Sequence, residues 1–131
     1  MINKEFGGTV VKKDIREDGV NCVELDDKSN LFKGIERRQE VLLTHGDSID
    51  KVAENFRVIG TSGGLVTAIS NEKMRLYGLQ FHPEVDLTTS GRNIFSNFLT
   101  GICGLAGTFR LQDRQSRAIA SIRETVGDNK V

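Results

Sequence analysis

The chain has 131 residues, enough for one domain with a modest core, and eighteen basic side chains balance eighteen acidic ones. That balance gives no electrostatic basis for a nucleic-acid or anionic-membrane partner. No apolar run approaches the ~20 residues of a spanning helix; the first residues lack a hydrophobic signal region, and two distant cysteines fit a reducing compartment, so the expected location is the cytoplasm (cytosol).

Residues 1–6 read as the end of a helix, stopped by Gly7 and Gly8. Residues 9–13 and 20–25 alternate as strands, and Asp18-Gly19 between them has the composition of a turn. Cys22 is expected as a small buried side chain in the second of these strands. Leu31, Phe32, Gly34 and Ile35 suggest a short loop or helical turn. Val41-Leu42-Leu43-Thr44 reads as a buried strand emptying into a loop at His45-Gly46-Asp47. Three strands are expected at 56–60, 65–70 and 75–81, separated by turn-rich tripeptides. The third runs into His82-Pro83-Glu84, and a proline without an N–H should end the strand there.

The period then changes. Ile94, Phe95, Phe98, Leu99 and Ile102 fall on one face of a helix, with Ser90 as its cap. Residues 104–112 read as a linker. A last helix is expected over 113–126, capped by Asp113, stopped by Gly127, with Ile119, Ile122 and Val126 on one side.

His82 and Glu84 stand two apart on a strand, so their side chains share a side. An imidazole can serve as general base for a nucleophile, and a carboxylate can fix its tautomer. An arbitrary His-x-Glu is more often a surface histidine beside a strand end. Here the pair closes an apolar strand, Tyr77-Gly78-Leu79-Gln80-Phe81-His82-Pro83-Glu84-Val85, and ligand sites in α/β sheets favour that end.

Gln80-Phe81-His82-Pro83-Glu84 resembles the signature of class I glutamine amidotransferases. In that family a Cys-His-Glu triad hydrolyses glutamine and releases ammonia; the resemblance makes His82 the base and Glu84 its orienting group. Leu43-Thr44-His45-Gly46-Asp47-Ser48 resembles the family's substrate loop, in the His-Gly-Asp form of GMP synthases, and so places Thr44, Gly46 and Asp47 near the substrate glutamine. For His45 a direct role and a structural one both stay open. Asn93-Ile94-Phe95-Ser96-Asn97-Phe98-Leu99 and Ala106-Gly107-Thr108-Phe109 are similar to the end of the amidotransferase domain in animal-type GMP synthases. Arg123-Glu124-Thr125-Val126-Gly127 resembles the start of their ATP-pyrophosphatase domain.

What the resemblance implies is an α/β fold: the C-terminal part of an amidotransferase domain over 1–103, a mixed sheet with flanking helices whose N-terminal half is missing. A linker over 104–112 and the opening helix of a truncated ATP-pyrophosphatase domain over 113–131 follow. The family's nucleophile sits at an upstream Gly-x-Cys-x-Gly elbow, and the 131 residues contain none. Gly101-Ile102-Cys103-Gly104 begins like one, but its second glycine comes a residue early, it ends a helix, and it follows His82. The implied parent converts XMP to GMP with glutamine-derived ammonia and ATP, Mg²⁺ assisting; the ATP and Mg²⁺ sites belong to the missing domain, and no metal site is expected here. Two alternatives remain: a fragment of another class I amidotransferase, and a thiol-free regulatory or binding module.

Overall fold

A computed structural model describes residues 1–108, 110–127 and 129, with the side chains of 13–17 set aside. The Phe109 position of the linker motif, and residues 128, 130 and 131 of the last expected segment, lie outside the described residues.

A one-turn helix α1 (Ile2–Glu5) leads into strand β1 (Thr9–Leu25). A 3₁₀ turn (Asn30–Phe32) precedes β2 (Arg38–Lys51), β3 (Arg57–Ser62), β4 (Leu65–Asn71) and β5 (Leu76–Leu79). Helix α2 (Gly91–Ser96) widens into a π-helical segment (Asn97–Ile102), and α3 (Leu111–Val126) follows. The five strands form one sheet in the order β2-β1-β3-β4-β5, and every ladder among the described residues is antiparallel. Helices with a sheet make this an α/β chain, as the sequence leads one to expect.

Two expected breaks are absent. Asp18-Gly19 does not turn: Asp18 pairs with Thr44 and Gly19 with Leu43 inside one 17-residue strand. Gly19 does take a left-handed φ of 101°, yet the register runs through it without a shift; the irregularity of this pairing lies earlier, between Lys12 and Glu17. His45-Gly46-Asp47 is likewise no loop. His45 pairs with Glu17 and Asp47 with Lys12, so β2 continues to Lys51. A paired neighbour along the whole of β2 outweighs the local turn composition. The buried phase of β2 changes across this stretch, with Val41 and Leu43 inside before it and Ser48 inside after it.

The core lies between one face of the sheet and the helical segments. Val23, Leu25, Val41, Leu43, Ile59 and Ala68 supply the sheet side; Leu31, Phe32, Ile35, Phe81 and Ile94 cover it. The period of two along β1 that buries Val23 turns Cys22 outward, so that thiol is exposed rather than buried. In the second half, Phe98 and Ile102 pack on the core beside Ile94, while Phe95 and Leu99 stay outside it. The π-helical turn explains the division. Cys103 N–H bonds to the Phe98 carbonyl, five residues back, so residues four apart stay nearly in line and their neighbours rotate away.

Two caps differ from expectation. Ser90 occupies the N-cap of α2, but its hydroxyl makes no capping bond. Helix α3 begins at Leu111 from an extended Arg110, which puts Asp113 in the first turn instead of at the cap. A carboxylate there still faces the positive end of the helix. Gly127, with φ of 54°, ends α3 as expected.

Candidate functional site

The segment after β5 is held against the free edge of β2. Phe81 is 3% exposed and anchors it in the core, and the alternation of extended chain then turns His82 outward. His82 N–H donates to the Leu42 carbonyl at 3.1 Å, so the chain beyond the end of β5 meets β2. Next comes an inserted hydroxyl. Thr88 Oγ1 donates to the His82 carbonyl at 2.6 Å and accepts from Leu42 N–H at 3.3 Å. Two backbone groups that could meet in a direct ladder bond are joined through a buried side chain, 4% exposed. Thr89 N–H adds a bond to the Glu40 carbonyl at 3.2 Å. The edge of β2 and the backbone of His82 are thereby fixed together.

Gly91 completes this frame. A Cβ at that position would lie 2.0 Å from the Pro83 carbonyl oxygen, so only glycine lets α2 start so close to the His-Pro-Glu turn. Gln80 ties the segment to two strands: its main-chain N–H reaches the Thr67 carbonyl of β4 at 2.8 Å, and its side-chain amide donates to the Asp47 carbonyl of β2.

On this frame His82 meets two partners. Its Nδ1 is 2.8 Å from Glu84 Oε1, and its Nε2 is 2.9 Å from Thr44 Oγ1. The Glu84 carboxyl is held below its usual range, first by its own backbone N–H and next by the hydrogen bond from His82. An ionised carboxylate can only accept, so Nδ1 of a neutral His82 carries the proton. Its Nε2 then presents a lone pair, which the Thr44 hydroxyl fills as donor. The ring is held in one orientation, with its acceptor nitrogen on the side away from the carboxylate, an arrangement that can serve general-base chemistry. With His82 side chain 42% and Glu84 57% exposed, the site is open to solvent.

The structure thus gathers His82, Glu84 and Thr44. Gly46 and Asp47 lie further along β2, where Asp47 lines a cavity of about 200 Å³ beneath α1 with Gln80 and Thr67. Both ring nitrogens of His82 are engaged by Thr44 and Glu84; Cys22 and Cys103 are exposed thiols elsewhere. Thr88 and Gln80 were not legible as site residues. Thr88 lies in an irregular Leu-Thr-Thr-Ser stretch where nothing periodic marks one hydroxyl, and its partner Leu42 is on a strand 46 residues away. Among the described residues no group of three or more His, Cys, Asp or Glu side chains is placed to hold a metal ion, so Mg²⁺ finds no fitting donor set here.

Comparison with known proteins adds to this geometry. Residues 1–102 match the family described as glutamine amidotransferase class-I. A Caenorhabditis elegans protein named as a glutamine-hydrolysing GMP synthase is 47% identical over all of this chain and 18% of its own length. The Dictyostelium discoideum GMP synthase is 46% identical over all of this chain and 19% of its own. The chain therefore spans about a fifth of the length of these relatives. A solved Thermoplasma acidophilum structure, named for one GMP synthase subunit, superposes with a TM-score of 0.74 at 35% identity, over 79% of this chain and 52% of that one.

Proposed function

Since the chain belongs to the class-I glutamine amidotransferase family, we propose that it supplies the base and the orienting carboxylate of a glutamine-hydrolysing site within a GMP synthase. The observation that carries this reading is the His82–Glu84 pair, 2.8 Å apart, in a chain similar along its whole length to GMP synthases. His82 Nε2 takes the proton of a cysteine thiol as the sulfur attacks the glutamine amide, then returns it to the departing ammonia. Glu84 keeps the ring in the Nδ1–H tautomer and balances the imidazolium charge. Thr44, Gly46 and Asp47 contribute to holding glutamine.

In this reading the nucleophile and the oxyanion donors come from sequence outside the 131 residues. By resemblance, the residues that would hold ATP, Mg²⁺ and XMP also belong to the synthetase domain. Residues 1–103 form part of the amidotransferase domain, 104–112 a linker, and 113–131 the beginning of the synthetase domain. The family match ending at residue 102 supports that boundary. Among the described residues no helix is long and apolar enough to cross a membrane; the cytosol is the place of work that this reading assigns.

The test uses a full-length enzyme carrying this segment. His82→Ala is expected to abolish glutamine-driven GMP formation, by at least about 10²-fold, while leaving ammonia-driven formation intact. Glu84→Ala should impair the glutamine reaction less. Equal loss with both nitrogen sources would make the pair structural and overturn the assignment.

A further inference from the structure

We propose that Thr44 is a positioning residue for His82: its hydroxyl caps the acceptor nitrogen of the base and, with Glu84, holds the imidazole in one tautomer and one orientation. This deepens the glutaminase reading and rests on it for its catalytic meaning. Resemblance associates Thr44 with the substrate; the structure gives it a different neighbour. Thr44 Oγ1 lies 2.9 Å from His82 Nε2, on the ring edge opposite Glu84.

Both hydrogen bonds are needed to define the ring. With Glu84 alone, a neutral imidazole can tilt about the single Nδ1–H bond. The second contact pins the far nitrogen to β2, whose position relative to His82 is already set by the Leu42 and Thr88 bonds. A hydroxyl suits both charge states. It donates to Nε2 of the neutral ring, and by rotating it accepts from the Nε2–H of the imidazolium. It also reserves the lone pair. Nε2 has one in-plane acceptor site, so a thiol that is to hand its proton to His82 must displace the Thr44 hydroxyl. Thr44 is therefore a placeholder that keeps the base oriented until a nucleophile engages it.

The test uses this chain below its melting transition. Long-range ¹H–¹⁵N correlation on the wild-type protein at neutral pH should show His82 protonated at Nδ1 with Nε2 as acceptor. The rate at which diethyl pyrocarbonate acylates His82, followed by peptide mass spectrometry, reports access to the Nε2 lone pair. Thr44→Val removes the hydroxyl at nearly constant volume and should raise that rate roughly three- to tenfold, the value of one lost hydrogen bond. Thr44→Ser should restore the wild-type rate, and acylation of His45 should stay unchanged in both. A wild-type ring protonated at Nε2, or equal His82 rates in wild type and Thr44→Val, would overturn the inference. Should Thr44→Val not fold, Thr44→Ala, which also lacks the hydroxyl, carries the same comparison. A full-length enzyme without glutamine-driven synthesis would refute the functional reading and leave the cap itself standing.

Discussion

Glu72 shows how individual residues stabilise the frame beneath the site. Its carboxylate accepts from Ser29 Oγ at 3.0 Å, Asn30 Nδ2 at 3.0 Å, Arg57 Nη2 at 3.4 Å and the Tyr77 hydroxyl, joining the 3₁₀ turn, β3 and β5. Desolvation pushes its acidity the other way, yet the bonds from Tyr77, Asn30, Ser29 and Arg57 together hold the carboxyl below its ordinary 4.5. A carboxylate with a depressed folded value stabilises the fold above its unfolded value, and that stability is lost as pH falls from about 4.5 through the folded value. Urea midpoints measured across the acid range should therefore drop in the wild type and flatten there in Glu72→Gln. Glu72→Ala should cost about 2–3 kcal/mol, because buried Ser29 loses its acceptor. Tyr77 gives a second readout, being the only tyrosine. Burial first, and then Glu72, push its hydroxyl well above the ordinary 10.0. Tyrosinate absorbance should show that rise shrink in Glu72→Gln; an unchanged titration would show that burial alone sets it. At this scale the His82–Glu84 pairing was legible from the spacing, although β5 ends at Leu79 and the two side chains meet across a turn and not along a strand. The Thr44 contact was not, since it joins residues 38 apart in sequence.

Among the elements, strands were more legible than their interruptions. Alternation places β3, β4 and β5 within a residue or two, whereas Asp18-Gly19 and His45-Gly46-Asp47 have turn composition and nonetheless pair with each other's strands. Local propensity is a weak term beside a ladder that pairs the backbone on both sides of its bulges. The same accounting identifies the segment 80–89 as an element in its own right. It has no regular secondary structure to hold it, and bonds from its main chain and the Thr88 hydroxyl attach it to β2 and β4. Thr88→Val should expose this dependence. It leaves the Leu42 N–H and the His82 carbonyl without their bridging partner, at a cost of about 1–3 kcal/mol, while Thr88→Ser retains the hydroxyl and most of the stability. Thermal melts of the two variants check this. A midpoint for Val above that for Ser would mean that the threonine methyl, not the bridge, matters.

For the molecule as a whole, the decisive contrast is between the eleven-residue core cluster and α3. The class of fold was legible because His-Gly-Asp, Gln-Phe-His-Pro-Glu and the helix after them carry the resemblance in order. The packing of α3 was not legible, because an apolar stripe shows which face wants a partner without supplying one. Leu111, Ile119 and Ile122 are 64%, 51% and 61% exposed, and none of the 16 residues of α3 is buried. A helix of that length without tertiary packing is marginal in water. It also contributes no apolar burial to the sheet and its covering helices. Shortening the chain to residues 1–110 should therefore leave the melting midpoint unchanged. Hydrogen exchange on the intact chain should find α3 amides nearly unprotected while the Val23, Val41 and Leu43 amides exchange slowly. If α3 instead serves as the first element of a following domain, its amides should become protected in a full-length enzyme carrying this segment. A lowered midpoint for 1–110, or strong protection of α3 in the chain by itself, would show that the helix packs on this domain and would move the boundary beyond residue 126.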